Sequence, residues 1–430
     1  MTKSRLNTSL WPWPLFAAML ASAGLPIYIH APKFFVDEYG VSLAALGGVL
    51  ALLRLIDVVQ DPVLGWLAQR YAHRRSGMVF AASGVMAASM WALFVWPAPI
   101  APLLWFALVL TALFSAYSLL TILFYAQGVI YAQSMAGQGH TKLAGWREMG
   151  ALLGVSLAAA APTVLAQFTA APFRWFALGF VVFTIAAALA MREQWHQNAQ
   201  ATVPNKTPVT AIGDFFAAFR PALGDPMARQ LLILALVNAA PMAVTSTLFL
   251  FFVESRLALP ALSGLYLLSF FLAAALSAPI WSQLAARFGE KRTLQGGMVL
   301  SIASFLWAIT LGAGDGVAFA AICLASGAAL GADMVLLPAL FARRMAALGS
   351  AAAGFGLWSF VSKLSLALAA AILLPALQAS GYRAGSENTT FALWALSLAY
   401  AGLPCALKLI ALAWLARLNL SGIEHKGMSP

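Results

Sequence analysis

Apolar runs recur along the whole of this 430-residue chain, and at about 20 residues each is long enough to cross a hydrocarbon core about 30 Å thick. A bilayer offers no water to the backbone, so spans must be helices or closed barrels. Runs of this length read as helices rather than as the short alternating strands of a barrel. Composition agrees: 62% of the residues are apolar and 9% charged, against about 25% charged in a soluble domain. The fold class expected is an all-α membrane protein.

Twelve spans can be drawn, at roughly 10 to 35, 43 to 68, 78 to 98, 101 to 126, 143 to 167, 172 to 191, 229 to 253, 260 to 286, 294 to 314, 316 to 342, 351 to 377 and 390 to 416. An even number puts both termini on one side and sorts the loops into two sets. Seventeen Lys and Arg fall with the termini, among them Lys3, Arg70, Arg74, Arg75, Arg287, Lys291 and Arg292, whereas the other side holds only Lys33, Arg174, Arg256 and Arg383. That asymmetry predicts a bacterial-type inner membrane protein with both termini cytoplasmic. It also accounts for the net charge of +11 without nucleic acid. Cys323 and Cys405 both lie in apolar runs, so no disulfide framework is indicated.

Residues 192–228 form the one long polar segment and include an amphipathic stretch, Phe215-Phe216-Ala217-Ala218-Phe219. It reads as a cytoplasmic linker, its amphipathic part either lying along the membrane interface or forming a plain connecting helix. The halves are then 1–191 and 229–430. At a constant offset of 217, Phe34-Phe35-Val36-Asp37 matches Phe251-Phe252-Val253-Glu254, Gly47 matches Gly264, and Pro62 matches Pro279. The loop Arg70 to Arg75 likewise matches Arg287 to Arg292. Two parallel six-helix halves are the architecture of the major facilitator fold, with its solute site between the halves near mid-membrane.

Charges inside the spans are few: Arg54, Asp57, Asp61, Arg147, Glu148, Asp333, Lys363 and Lys408. Intramembrane ionisable groups are costly and mark function by default. Asp57 and Asp61 are four apart and share a helix face with Arg54. Two carboxylates one turn apart repel unless a cation or proton lies between them, which suits H⁺ or a hard monovalent ion such as Na⁺. At the repeat offset Arg54, Asp57 and Asp61 face Phe271, Ala274 and Ala278, so only the first half carries the charges. By the same offset Lys363 maps to position 146, beside Arg147, and the two cations can approach a central site from opposite halves. Arg147 and Lys408 are alternatively snorkelling residues, and Asp333 and Lys363 an interhelical ion pair. His30 reads as a packed side chain, and Trp13, Trp146 and Trp358 as stacking surfaces or interface anchors. No phosphate loop or nucleophile-base arrangement is seen, so neither an enzyme nor ATP-driven transport is expected, and no cofactor beyond the coupling ion.

On these residues the sequence resembles the glycoside-pentoside-hexuronide:cation symporters of the major facilitator superfamily. Arg54-Leu55-Ile56-Asp57-Val58-Val59-Gln60-Asp61-Pro62 is similar to the family's helix-two motif, whose aspartates hold the coupling Na⁺, Li⁺ or H⁺. Trp146-Arg147-Glu148 resembles the start of its helix five, and Ser359-Phe360-Val361-Ser362-Lys363 its lysine-bearing helix eleven. The resemblance implies a cation site at Asp57, Gln60, Asp61 and Thr121, with Arg54, Arg147 and Lys363 as charge partners. It implies solute contacts at Thr121, Trp146, Arg147, Asp333, Trp358 and Lys363. The family's two sugar-binding acidic positions fall on Ala21 and Thr121, and Gln60 replaces an asparagine. The longer amide tilts the expectation toward H⁺.

The function expected is cation-coupled symport of a small, sugar-like solute by a monomer in lipid. Arg70, Arg74, Arg75, Arg287, Lys291 and Arg292 serve as gating loops or as topology signals alone. A facilitator or exporter of a non-sugar or lipid-like solute, or a non-transporting sensor, are the alternatives.

Overall fold

The protein, described by a computed structural model over residues 10–135, 139–197, 212–382 and 388–420, is helical, with no strand among those residues. The first span is broken into α1 (Pro12–Ser22) and α2 (Leu25–Tyr39). The sequence suggested one run from 10 to 35. Gly24 leaves helical geometry at φ −86° and ψ −117°, and a proline at the start of α2 cannot continue the hydrogen-bond ladder.

After it come α3 (Leu43–Arg70), α4 (Arg75–Phe94), α5 (Pro102–Gln133), α6 (Gly139–Leu165) and α7 (Pro172–Ala190), completing the first six-helix bundle. The connection contributes α8 (Arg192–Gln197) and α9 (Ile212–Gly224). The second bundle holds α10 (Pro226–Phe251), α11 (Ser263–Phe288), α12 (Glu290–Ala308), α13 (Gly316–Leu348) and α14 (Ala351–Ala379). Its last span is α15 (Thr390–Ser397) and α16 (Leu403–Arg417), joined through a π-helical stretch at Leu398–Gly402. Among the described residues nine helices are long and apolar enough to cross a membrane. The broken first span, the charge-bearing α3 and α12, which opens on Glu290-Lys291-Arg292, bring the fold to twelve.

Each bundle has its own core. Trp13, Phe16, Phe35, Phe106 and Phe124 are fully buried in the first, and Phe252, Phe319 and Phe341 anchor the second. Trp13 packs on Phe124 and Tyr131 at ring distances of 5.2 and 5.1 Å, so it is a core residue rather than a stacking surface for solute. His30 bonds the Ala159 carbonyl at 3.0 Å between the Phe173 and Phe176 rings, a packed position. Of the amphipathic stretch, the side chains of Phe215 and Phe216 lie outside the described residues. α9 buries Phe219 and Ala222 and packs on α3 as well as on α10, α13 and α14, beneath both bundles. Beside it Asp225 caps α10 by accepting from the Ala228 amide at 2.8 Å, and Arg344 donates to the same carboxyl at 2.8 Å. That Arg344 hydrogen bond holds the Asp225 carboxyl below the usual carboxylate range.

The bundles meet along two crossings, α3 on α14 and α6 on α11. Both are tightest toward the end that carries the basic loops. A Cβ on Gly65 would lie 2.9 Å from the Gly356 Cα and 3.1 Å from the Ala352 carbonyl oxygen. A Cβ on Gly145 would lie 3.0 Å from that of Ser282. Toward the other end of α3, a Cβ on Gly47 or Gly48 would meet nothing within 4 Å. Small residues let the backbones close at one end only, so the structure is sealed at the basic-loop end.

Replacing Gly356 with valine should wedge this crossing apart. A cysteine at Gln69 is then expected to react faster with a membrane-impermeant thiol reagent applied from the basic-loop side; an unchanged rate would mean the glycine contact does not hold the seal.

Candidate functional site

The acidic turn of α3 faces α14 and α5, and three helices supply a continuous polar network inside an apolar bundle. Asp57 and Asp61 have side-chain exposures of 6% and 0%, and Lys363 of 13%. Lys363 lies across the bundle interface, its ammonium 3.0 Å from Asp61 Oδ1, 2.9 Å from Oδ2 and 3.8 Å from Asp57 Oδ2. Ser359, one turn earlier on α14, donates to Asp61 Oδ2 at 2.5 Å. From α5, Ser118 accepts from the Lys363 ammonium at 2.7 Å. Every described partner of Asp61 is therefore a donor, as a buried carboxylate requires.

Gln60 completes the network. A carboxylate only accepts, so the amide must turn its NH₂ to Asp57, at 2.7 Å, and its oxygen then accepts from Ser115 at 2.9 Å. Thr121 spends its hydroxyl on the Tyr117 carbonyl at 2.8 Å and bonds neither carboxylate. The residues of α5 that reach the site are Ser115 and Ser118, a pair three apart in an apolar span whose spacing could have pointed to them. The side chain of Arg54 lies outside the described residues.

Other expected site residues lie in separate clusters. Arg147 and Glu148 are both buried and pair with each other at 3.0 Å, so Arg147 does not snorkel. The Arg147 guanidinium sits 3.6 Å over the Tyr125 ring, whose hydroxyl donates to Glu148 at 2.9 Å. Tyr125 meets Phe355 across the interface at 5.0 Å, and Trp358 packs on Phe341 at 5.0 Å. Trp146 is 40% exposed. Asp333 is not the partner of Lys363; it pairs with Lys408, which also donates to Asn238 at 2.8 Å. Lys408 is only 3% exposed, so it too does not snorkel.

The crossings also correct the expected equivalence of Lys363 with position 146. Gly65 and Ser282 occupy like places at the offset of 217 (282 − 65), but their partners Gly145 and Gly356 differ by 211 (356 − 145). Unequal loops make the offset drift, and Lys363 falls at 152 (363 − 211), which is Leu152. Leu152 packs with Ala274 and Ala275 in a small apolar cluster. Two pseudo-equivalent crossings thus carry Asp57, Asp61 and Lys363 in one place and Ala274, Ala278 and Leu152 in the other.

Within the basic loops, Arg75 and Lys291 bond groups of their own bundles. Arg75 donates to Gln127 at 2.7 Å, Arg70 lies 5.2 Å over the Trp66 ring, and Lys291 donates to the Ala416 and Leu418 carbonyls at 2.9 and 2.7 Å. Arg74, Arg287 and Arg292 are exposed. Polar contacts between bundles at this end come instead from Gln69, which donates to the Gly349 carbonyl at 3.2 Å, and from Thr141, Ser282, Glu290 and Arg343.

A family profile described as MFS/sugar transport protein matches residues 12–422. The chain belongs to that family, and it is a multi-pass membrane transporter of the major facilitator fold. Solved structures agree. A bacterial homologue of the iron transporter ferroportin, in an outward-facing state, superposes with a TM-score of 0.68 at 16% identity, covering 95% of this chain and 99% of that one. The human organic anion transporter MFSD10 gives 0.63 at 16% identity, covering 96% and 100%. The fucose:proton symporter of E. coli gives 0.62 at 14%, covering 95% and 98%. At these identities the likeness is one of fold. No curated protein sequence matches the chain.

The apolar crossing suggests a stability test. Asp61→Ala alone leaves Lys363 without its closest carboxylate and should cost about 3–5 kcal/mol. The triple change Asp57→Ala, Asp61→Ala, Lys363→Leu copies the other crossing and should recover most of it in thermal unfolding of the purified protein. A triple variant no more stable than the single one would show that the polar network itself holds the bundles.

Proposed function

We infer that the protein is a secondary active transporter that couples entry of a small, sugar-like solute to H⁺ by alternating access. The observation that carries this is the ion pair between Asp61 and Lys363, made across the interface that must open and close. Lys363 occupies the position a coupling cation would take between two carboxylates. A proton on Asp61 removes the charge that holds α14 to α3, so ion binding changes the balance between the two states. The loaded carrier then exposes its site on the other face.

The preference for H⁺ over Na⁺ rests on Gln60. Its amide oxygen, a natural ligand for a hard cation, is engaged by Ser115, while its NH₂ faces Asp57. The sugar-like solute is supported by the family's description and by the aromatic wall of Tyr125, Phe355 and Trp358 beside the Arg147–Glu148 pair. The proton-coupled fucose carrier with the same fold points the same way. In this account residues 1–191 form the ion-binding half, 192–228 the cytoplasmic linker and 229–430 the second half. The protein works as a monomer in a bacterial-type inner membrane with both termini cytoplasmic, and the state described here faces outward.

Uptake into proteoliposomes tests the proposal, with a panel of sugars and uronates offered under an imposed pH gradient or an imposed Na⁺ gradient. Accumulation of one solute driven by the pH gradient, and abolished by Asp61→Asn, is the expected result. Uptake that only equilibrates, unaffected by either gradient or by Asp61→Asn, would make the protein a facilitator; drive by Na⁺ alone would reverse the choice of ion.

A further inference from the structure

The two crossings are held shut by different chemistry at different depths. At the α3–α14 crossing the lock is Asp61 with Lys363 and Ser359. At the α6–α11 crossing the matching positions are apolar, and the polar contacts sit at the basic-loop end, around Thr141. Thr141 is fully buried at the start of α6. Its hydroxyl donates to Glu290 Oε1 at the first residue of α12, and Arg343 of α13 bonds the same carboxylate oxygen. Arg343 also donates to the Thr141 hydroxyl at 3.3 Å, and Ser282 of α11 donates to the Thr141 backbone carbonyl at 3.1 Å. One neutral residue of the first bundle is thus clasped, through its side chain by an ion pair and through its backbone carbonyl by a serine of the second.

We propose that Thr141 is a positioning residue for transport: its hydroxyl, clasped by Glu290 and Arg343, forms a second lock on the basic-loop seal that ion binding at Asp61 does not release. The proposal rests on the alternating-access function inferred above. Three observations carry it. The Glu290 carboxylate is 2% exposed and its Oε2 has no donor among the described residues, so breaking the clasp leaves a buried charge less satisfied still. The Glu290–Arg343 pair lies within one bundle and stays intact when the bundles part, so at this crossing the bonds of Thr141 to Glu290, Arg343 and Ser282 report on the seal. Among the described contacts, none joins a residue of the Asp61 network to a member of the clasp. Opening toward the basic-loop side therefore needs two events, discharge of Asp61 at one crossing and release of Thr141 at the other. An empty carrier keeps its seal even if Lys363 lets go.

Distances between spin labels on the full-length protein in lipid nanodiscs test this without solute or gradient, so the result stands apart from success or failure of the uptake assay. Labels at Lys142→Cys and Arg287→Cys, both exposed positions, span the clasp. Thr141→Val should raise the ratio of separated to closed distances about tenfold or more, the loss of a hydrogen bond to a charged group. Thr141→Ser, which keeps the hydroxyl, should restore the wild-type distribution, and that rescue separates a latch from a folding defect. The shift should be the same size in the Asp61→Asn background. Wild-type distances in Thr141→Val would overturn the latch, as would failure of Thr141→Ser to restore them. A shift that vanishes in Asp61→Asn would show one lock rather than two.

Discussion

The ion pair of Lys363 with Asp61 is the interaction on which the rest depends. Charges in hydrocarbon persist only when paired and hydrogen-bonded, and here the partners come from helices of different bundles. Ser359, Ser118, Gln60 and Ser115 supply further bonds of the cluster. The arrangement is possible only because Gly65 and Gly356, one turn below, let α3 and α14 touch backbone to backbone. Any motion that parts the bundles at that crossing must deal with these charges, and the proposed proton coupling rests on that requirement.

Pseudo-symmetry sharpens the point. The fold repeats its crossing, and the repeat places Ala274, Ala278 and Leu152 where the other copy has Asp57, Asp61 and Lys363. Apolar side chains satisfy the scaffold at one crossing, so the scaffold alone does not require the charges at the other. Buried pairs are weak sources of stability, and their retention here fits a switch better than a brace. A carrier built this way can assign ion sensing to α3 and α14 and leave the α6–α11 contact to seal and pivot.

Much of the architecture was legible in the sequence because membrane spans announce themselves one by one. Apolar length gave the spans, the Lys and Arg asymmetry gave a consistent count, and the offset of 217 gave two halves. The turn from Asp57 to Asp61 stood out for its cost alone. What stayed hidden depends on packing between helices. The partners Asp333–Lys408 and Asp61–Lys363 are set by which faces meet, and no spacing along one helix reveals that. Loop lengths shifted the repeat from 217 to 211, so Lys363 was matched to the wrong neighbour. The basic loops are conspicuous in sequence, whereas a buried threonine and a glutamate at a helix start, which bond between the bundles, are not. The break at Gly24 lay in plain view, beside Pro26, inside a run apolar enough to mask it.

The central claim is that the coupling cation and the Lys363 ammonium compete for Asp61. Cation binding to the purified protein, followed by tryptophan emission while H⁺ or Na⁺ is titrated, tests it most directly. The account predicts that Lys363→Met binds the cation more tightly than the wild type, because the internal competitor is gone, and that Asp61→Asn abolishes the response. Equal affinity in Lys363→Met and wild type would contradict it.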